Sequence, residues 1–512
     1  MSIVRSVGRN TVASLAARMA VLAVWFALTP SLLATLGPDR FGFWSLLLAL
    51  GGSVASLDLG LAVALSRFVA EAEGRGDASA ARRTIVSAVR LQLLLALGFA
   101  LVGALLRGPL VRLFHVPPEW AGEAERALVV TLVGFALGVP GTLFASALQG
   151  LQRMDLFAAA NLPLAIGLAF AIHAALETRT PLLAVVASQA LYNVCLTLVV
   201  GVVLARELAR VRRPAAEAAQ AADPAGLPRL LRFGLWVQVN AALAFVSANL
   251  DKFLIGSLVA LAPVAAYEVG ARVSGVAFLL PLLLLSALLP AVARRNAATP
   301  GAHGLVFYRR ASYPYLVLVG FLVAALLGLA RPLLELWLGS AQPAQVFMLR
   351  GLALAGGLSA ATGIASTLVR AGDRLALETQ YAIAGFLAHV VFSIVGIRLW
   401  GWPGAIYGLV ASSLLGALFF VFRVESWLGA RPLAEAWSIA RAPLLAAAGS
   451  AAAAAWIGSL ALFGAPGRGH GLVALAASAA ALMITFALLL VLLSPRRWRE
   501  LLRPFALARP TL

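Results

Sequence analysis

Apolar stretches close to 20 residues long follow one another from Thr11 to Leu493, and charged side chains almost never interrupt them. About fourteen can be drawn: 11–36, 41–66, 84–106, 127–149, 157–177, 181–205, 233–257, 264–290, 311–331, 346–369, 376–398, 403–422, 442–463 and 471–493. A bilayer core takes about 20 apolar residues per helical span. It offers the backbone no outside partner, so each stretch must satisfy its own amides as a helix. The pattern predicts an all-α integral membrane protein with about 14 transmembrane helices. The first stretch is too long for a signal-peptide core and reads as a retained span.

The pattern also repeats. Leu36-Gly37-Pro38 enters the second stretch and Leu261-Ala262-Pro263 the eighth; Gly150 to Arg153 follows the fourth and Ala371 to Arg374 the tenth, at offsets of about 221–225 residues. Six spans is an even number, so two such halves insert the same way round, as a parallel repeat about an axis along the membrane normal. The expected organisation is an N-lobe over 1–205 (spans 1–6), a basic cytoplasmic linker over 206–232 punctuated by Pro214, Pro224 and Pro228, and a C-lobe over 233–423 (spans 7–12). Two extra spans over 424–493 and a basic tail over 494–512 complete it.

Charge refines the topology. The chain carries 40 Lys and Arg against 21 Asp and Glu, a net +19. In a soluble protein that would suggest nucleic acid. Here the arginines gather in Glu71–Arg83, Arg206–Arg232, Arg294–Arg310, Arg423–Arg441 and Ser494–Leu512, whereas Glu177–Thr180 and Gly464–Gly469 are short connections. The positive-inside rule places the arginine-rich segments, and with them both termini, in the cytoplasm. The excess then reads as topology plus contact with anionic lipid headgroups, with no nucleic-acid partner expected. Pro495 to Phe505 reads as a basic interfacial anchor.

Several chemistries lack their residues. The single lysine, Lys252, follows Asp251, so no Gly-Lys-Ser/Thr phosphate loop can form. His115, His173, His303, His389 and His470 have no partner at metal-ligand spacing, and Cys195 is the one cysteine. No Gly-x-Ser-x-Gly elbow occurs. A transporter without metal or cofactor is expected, not an enzyme.

The few charges inside the spans are then the candidate functional residues, because an intramembrane charge is costly. At about 1.5 Å of rise per residue, Arg18, Asp58 and Arg90 fall at similar depth in the inner third of the first three spans. They form either a net-positive cluster suited to a diphosphate or snorkelling arginines with one paired acid. Asp251 and Lys252 lie near the outer end of span 7. Glu268 and Arg272, spaced i,i+4, share a face of span 8 and can pair. This second group is formally neutral: a structural ion-pair network, or a gate with Arg272 as a further phosphate contact. Gln149, Asn161, Gln189, Asn193, Gln238, Asn240 and Asn249 are expected mostly to bond across helices. His389 is expected to be a packing residue.

Leu36-Gly-Pro-Asp-Arg-Phe-Gly-Phe-Trp44, then Leu57-Asp-Leu-Gly-Leu61 and Ser66 to Glu71, resembles the first hairpin of polysaccharide (O-antigen type) flippases of the multidrug/oligosaccharidyl-lipid/polysaccharide exporter superfamily. Asp251-Lys-Phe-Leu-Ile-Gly256, followed by Tyr267, Arg272 and Pro290, resembles the start of that family's second half. The second-half entry departs from the usual pattern, with Ala262 where the family has glycine. The resemblance implies two six-helix lobes rocking around a central cavity in the bacterial inner membrane. It implies a cargo of undecaprenyl-diphosphate-linked oligosaccharide moved from the cytoplasmic to the periplasmic leaflet, with a polymerase and ligase of the same pathway as candidate partners. The drive would be an ion gradient or consumption of product. Three readings compete: a lipid II flippase, differing in headgroup; a multidrug exporter of the same fold, disfavoured by three intramembrane acids against four bases; and an integral-membrane glycosyltransferase or polymerase, for which no sizeable outward loop exists.

Overall fold

A computed structural model describes residues 2–56, 60–75, 77–210, 243–298, 304–372, 374–460 and 468–497. Among them the regular structure is helical throughout, and twelve helices are long and apolar enough to cross a membrane. That count relates to the fourteen expected stretches in a simple way. The first two merge into one helix, and the seventh is described only over 243–258.

The first unit, Met1–Ala265, opens with α1 (Ser2–Ser56), two helical pieces joined at Gly37 (φ 71, ψ 171). Only glycine takes that conformation without strain, and Pro38 then starts the second piece with its φ already fixed and no amide to lose. The second expected span contains a break at Gly60, at φ 70, after which α2 (Leu61–Gly74) begins; residues 57–59 lie outside the described residues. Then come α3 (Ala78–Leu105), a short α4 (Arg107–Leu113), α5 (Ala121–Gly150), α6 (Met154–Leu176), α7 (Pro181–Arg210) and α8 (243–258). The linker expected over 206–232 starts as the end of α7; from residue 211 it lies outside the described residues.

Helix packing in this unit relies on small residues. Lipid is as apolar as leucine, so close backbone approach replaces the hydrophobic effect as the source of association. Gly134, Gly138 and Gly141 put one face of α5 directly against Ala190, Asn193 and Thr197 of α7. Thr197 Oγ1 donates to the Gly138 carbonyl across 3.1 Å.

The second unit, Ala266–Leu512, contains most of α9 (Leu261–Ala298), then α10 (Gly304–Gly328), a short α11 (Ala330–Leu338), α12 (Pro343–Ala361), α13 (Gly363–Ala371), α14 (Leu375–Trp400), α15 (Trp402–Trp427), α16 (Ala434–Ser459) and α17 (Arg468–Leu493). The order long, short, long, long, long from α3 to α7 recurs from α10 to α15, with α12 and α13 together replacing α5. The packing recurs too: α3 on α5, α5 on α7 and α6 on α7, against α10 on α12, α12 on α15 and α14 on α15. α16 and α17 pack on each other and against α10, outside the repeat.

The repeat extends to single hydrogen bonds. At the α5–α6 turn, Leu151 N donates to Ala147 O, Arg153 N to Leu148 O and Leu156 N to Arg153 O. At the α13–α14 turn, Gly372 N donates to Leu368 O, Arg374 N to Val369 O and Leu377 N to Arg374 O. Every member is displaced by 221 residues (374 minus 153). Both arginines take the same backbone conformation at the head of the next helix, φ −115, ψ 43 for Arg153 and φ −107, ψ 41 for Arg374.

Two features set the second half apart from the first. The bend at Leu261-Ala262-Pro263 does not reproduce the one at Gly37. The helix breaks earlier, at residues 259–260, and no residue there has positive φ, as befits alanine in place of glycine. The boundary of the first compact unit also falls within the first turns of α9, not at the linker. The reason is packing: α8 and the start of α9 run antiparallel along the second piece of α1. A Cβ on Gly42 would meet Leu261 O at 2.1 Å, one on Gly256 would meet Leu46 Cδ1 at 2.8 Å, and one on Gly52 would meet the Phe245 ring at 3.0 Å.

Candidate functional site

The residues of the first motif, Leu36 to Trp44, act largely as packing. Phe41, Phe43 and Trp44 are fully buried. Phe43 meets Trp120 edge-on at 5.6 Å, and Phe41 lies 5.3 Å from Trp44. Gly42 lets α1 touch the backbone that opens α9, and Gly256 of the second motif makes the matching approach from α8. The runs Leu36 to Trp44 and Asp251 to Gly256 therefore meet within one unit.

Arg40, in the same motif, reaches Glu123 at 3.6 Å and lies 5.6 Å from the Trp120 ring centre. Glu123 also accepts from the amide of Leu183 in the first turn of α7, at 3.2 Å. One buried carboxylate thus holds the entry to the second piece of α1, the start of α5 and the start of α7. It satisfies an amide that a helix N-terminus leaves open. Sequence reading missed Glu123 because it falls just before the apolar run at 127–149 and looks like a loop charge.

At the opposite end of this unit, Arg153 bonds Glu207 at 2.5 Å and Asp155 at 3.3 Å, fastening α6 to the end of α7. The second unit has an arginine fastening of its own. Arg370 donates to both oxygens of Glu378, at 2.6 to 3.0 Å, and Ser366 Oγ donates to the same carboxylate at 2.6 Å.

Of the predicted intramembrane residues, Arg272 and Glu268 are brought together, at 2.8 Å across one turn of α9. Both are largely buried, with side chains 14% and 9% exposed. Asp251 is fully buried on α8 and Lys252 half-buried beside it. Arg90 lies on an exposed face of α3. Asp58 and the side chain of Arg18 lie outside the described residues. Asn161 accepts from Tyr192 OH of α7, a cross-helix bond of the expected kind, whereas Asn249 turns back to the Phe245 carbonyl of its own helix. His389 is buried.

Two buried polar groups escaped the sequence reading. Gln92 of α3 is 1% exposed, and neither its Nε2 nor its Oε1 has a partner among the described residues. Glu425, near the end of α15, is fully buried and accepts from Tyr308 OH at 3.2 Å. Among the described residues no group of three or more His, Cys, Asp or Glu could hold a metal ion.

Residues 7–295, more than half the chain and both motifs, match the family described as "Polysaccharide biosynthesis protein". The chain belongs to that family. No curated protein matches it by sequence. Three solved structures share its architecture. A lipid II flippase, MurJ, in an inward closed conformation aligns with a TM-score of 0.71 at 11% identity, over 96% of this chain and 99% of that one. An inward-facing multidrug resistance MATE family transporter of the MOP superfamily gives 0.63 at 17% identity, over 82% and 98%. The Vibrio cholerae MATE transporter VcmN in its bent form gives 0.51 at 16% identity, over 87% and 98%. At these identities the likeness is one of fold. Family and fold together describe a multi-pass membrane protein of polysaccharide biosynthesis, built on an architecture that solved flippases and transporters also have.

Proposed function

We propose that the chain is an alternating-access flippase of the bacterial inner membrane, with both termini cytoplasmic. Its cargo is undecaprenyl-diphosphate-linked oligosaccharide, carried from the cytoplasmic to the periplasmic leaflet for surface polysaccharide synthesis. The supporting observation is that the family match spans every first-half motif on a fold shared with a lipid-linked-cargo flippase. In this reading Arg18 and Arg90 contact the diphosphate, since guanidinium forks suit phosphate oxygens. Asp58 belongs beside them; the left-handed Gly60 just before α2 supports this, because discontinuous spans in transporters mark binding sites. Arg272 is already neutralised by Glu268, so with Asp251 and Lys252 it is assigned to ion pairing and gating, not to the phosphate. Membrane lipids surround the chain, and the pathway's polymerase and ligase are its functional neighbours.

Lipid II is the second cargo reading, favoured by the MurJ-like fold. Depletion followed by analysis of lipid-linked sugars separates the two. Build-up of an oligosaccharide diphospholipid on the inner leaflet with loss of surface polysaccharide supports the first reading. Build-up of lipid II with intact surface glycan would replace it. Unchanged lipid pools with new drug sensitivity would point to a multidrug exporter.

A further inference from the structure

The second unit contains a cleft of about 480 Å³ between α10, α12, α15 and α16. It exists because α15 packs on α14 and α12 while α16 packs on α10 and α17, leaving a gap between two helices adjacent in sequence. Its walls are aliphatic, including Leu316, Val323, Leu354, Leu414, Leu418 and Leu444. Leu354, Leu414, Leu418 and Leu444 are also exposed, so the cleft opens sideways within the membrane-spanning length of the helices. An apolar cleft open to hydrocarbon fills with hydrocarbon, since water there would find few polar partners.

One end is different. Tyr308 and Ser312 of α10 and Trp437 of α16 line it. Ser312 is buried, and its Oγ has no partner among the described residues. Arg309 pairs there with Glu435 at 2.7 Å. Arg441 is exposed on the face of α16 that carries Trp437 and Leu444, at i, i+4 and i+7. Arg497, just beyond α17, lies over the Tyr313 ring at 5.2 Å and donates to Ser438 O at 3.2 Å. The cleft thus has an apolar body, a hydroxyl seeking an acceptor, and a basic rim on the side of the arginine-rich segments.

We propose that this cleft holds one acyl chain of a resident anionic glycerophospholipid, with an ester carbonyl accepting from Ser312 Oγ and the phosphate held by Arg441 and Arg497. The volume suits a single fatty-acyl chain and not a polyprenyl tail several times longer, which separates this lipid from the transported cargo. The bound chain acts as a wedge joining α16, which lies outside the repeat, to α12 and α15 within it. Interfacial Trp437, 62% exposed, marks the headgroup level.

The test uses the full chain reconstituted in vesicles of mixed phosphatidylethanolamine and phosphatidylglycerol, re-extracted in mild detergent and delipidated by washing. The retained lipid is identified and counted by mass spectrometry. The wild-type protein is expected to keep about one phosphatidylglycerol per chain in preference to phosphatidylethanolamine. Ala440→Trp fills the cleft and is expected to abolish retention. Arg441→Glu combined with Arg497→Glu leaves the cleft open and is expected to lower retention at least about tenfold, given the attraction of each rim arginine for anionic lipid. Because both arginines lie outside the apolar body of the cleft, this variant keeps the test decisive should the tryptophan variant fail to fold. Retention of both lipids in the ratio supplied, equal retention by the arginine variant, or recovery of a polyprenyl-linked sugar from the cleft in cell-extracted protein would each overturn the proposal.

Discussion

Gly42 offers the sharpest test of how the two motifs meet. A methyl group at Gly42 would stand 2.1 Å from the carbonyl oxygen of Leu261, 2.9 Å from its carbon and 3.3 Å from Ala265 N, all backbone atoms. Ordinary contact begins near 3.4 Å, so α1 and the start of α9 would have to separate by about 1.3 Å. No side chain can rotate away to relieve this. Overpacking of a tight contact costs about 1–3 kcal/mol, against a gain of about 1 kcal/mol from alanine's higher helix propensity. Gly42→Ala should therefore lose up to about 2 kcal/mol. Gly98, in the middle of α3, supplies the control: a Cβ there meets nothing within 4 Å. Gly98→Ala should show only the propensity gain, up to about 1 kcal/mol. The two variants differ by one methyl group each and are predicted to move in opposite directions. Thermal unfolding in one detergent, scanned at one rate because unfolding of such proteins is commonly irreversible, gives the order Gly98→Ala, wild type, Gly42→Ala. A Gly42→Ala protein as stable as the Gly98→Ala protein would refute the close approach of α1 to Leu261, and with it the reason the first compact unit extends into α9.

Other outcomes follow from single side chains. Glu123→Ala removes both the partner of Arg40 and the acceptor for Leu183 N, and should cost about 1–3 kcal/mol by leaving buried polar groups unsatisfied; Glu123→Gln keeps an acceptor and should cost clearly less in the same melt. Gln92→Leu removes a buried amide that has no partner among the described residues, so it should raise stability, by about 1 kcal/mol; a loss instead would show that the amide has a bonded role. Arg18→Ala and Asp58→Ala should abolish transfer of the lipid-linked sugar while leaving protein in the membrane fraction; full surface glycan in both variants would remove them from the mechanism. Glu268→Gln should weaken transport more than Glu268→Asp, which preserves the charge facing Arg272; equal effects would reduce that pair to packing.

The amino-acid sequence determined the class and most of the plan. In a bilayer every backbone amide must be satisfied within its own helix, so apolar runs of sufficient length can be counted as helices without knowing their neighbours. The repeat was legible for a related reason: turns such as Gly150 to Arg153 and Ala371 to Arg374 are local, and local hydrogen bonds leave a local sequence trace. Tertiary structure decided whatever depends on residues distant in sequence. Nothing in the run from Leu36 to Trp44 says that Gly42 will lie against Leu261, or that Glu123 will reach both Arg40 and Leu183. Glu123 and Glu425 sit just outside the apolar runs, where a charge looks solvated until the helix is seen to continue past it. The sideways cleft between α15 and α16 is less legible still, because it arises from which helices each of them packs against, and in lipid that choice rests on shape: the fit of small residues against backbone, not hydrophobicity, which is uniform along every span.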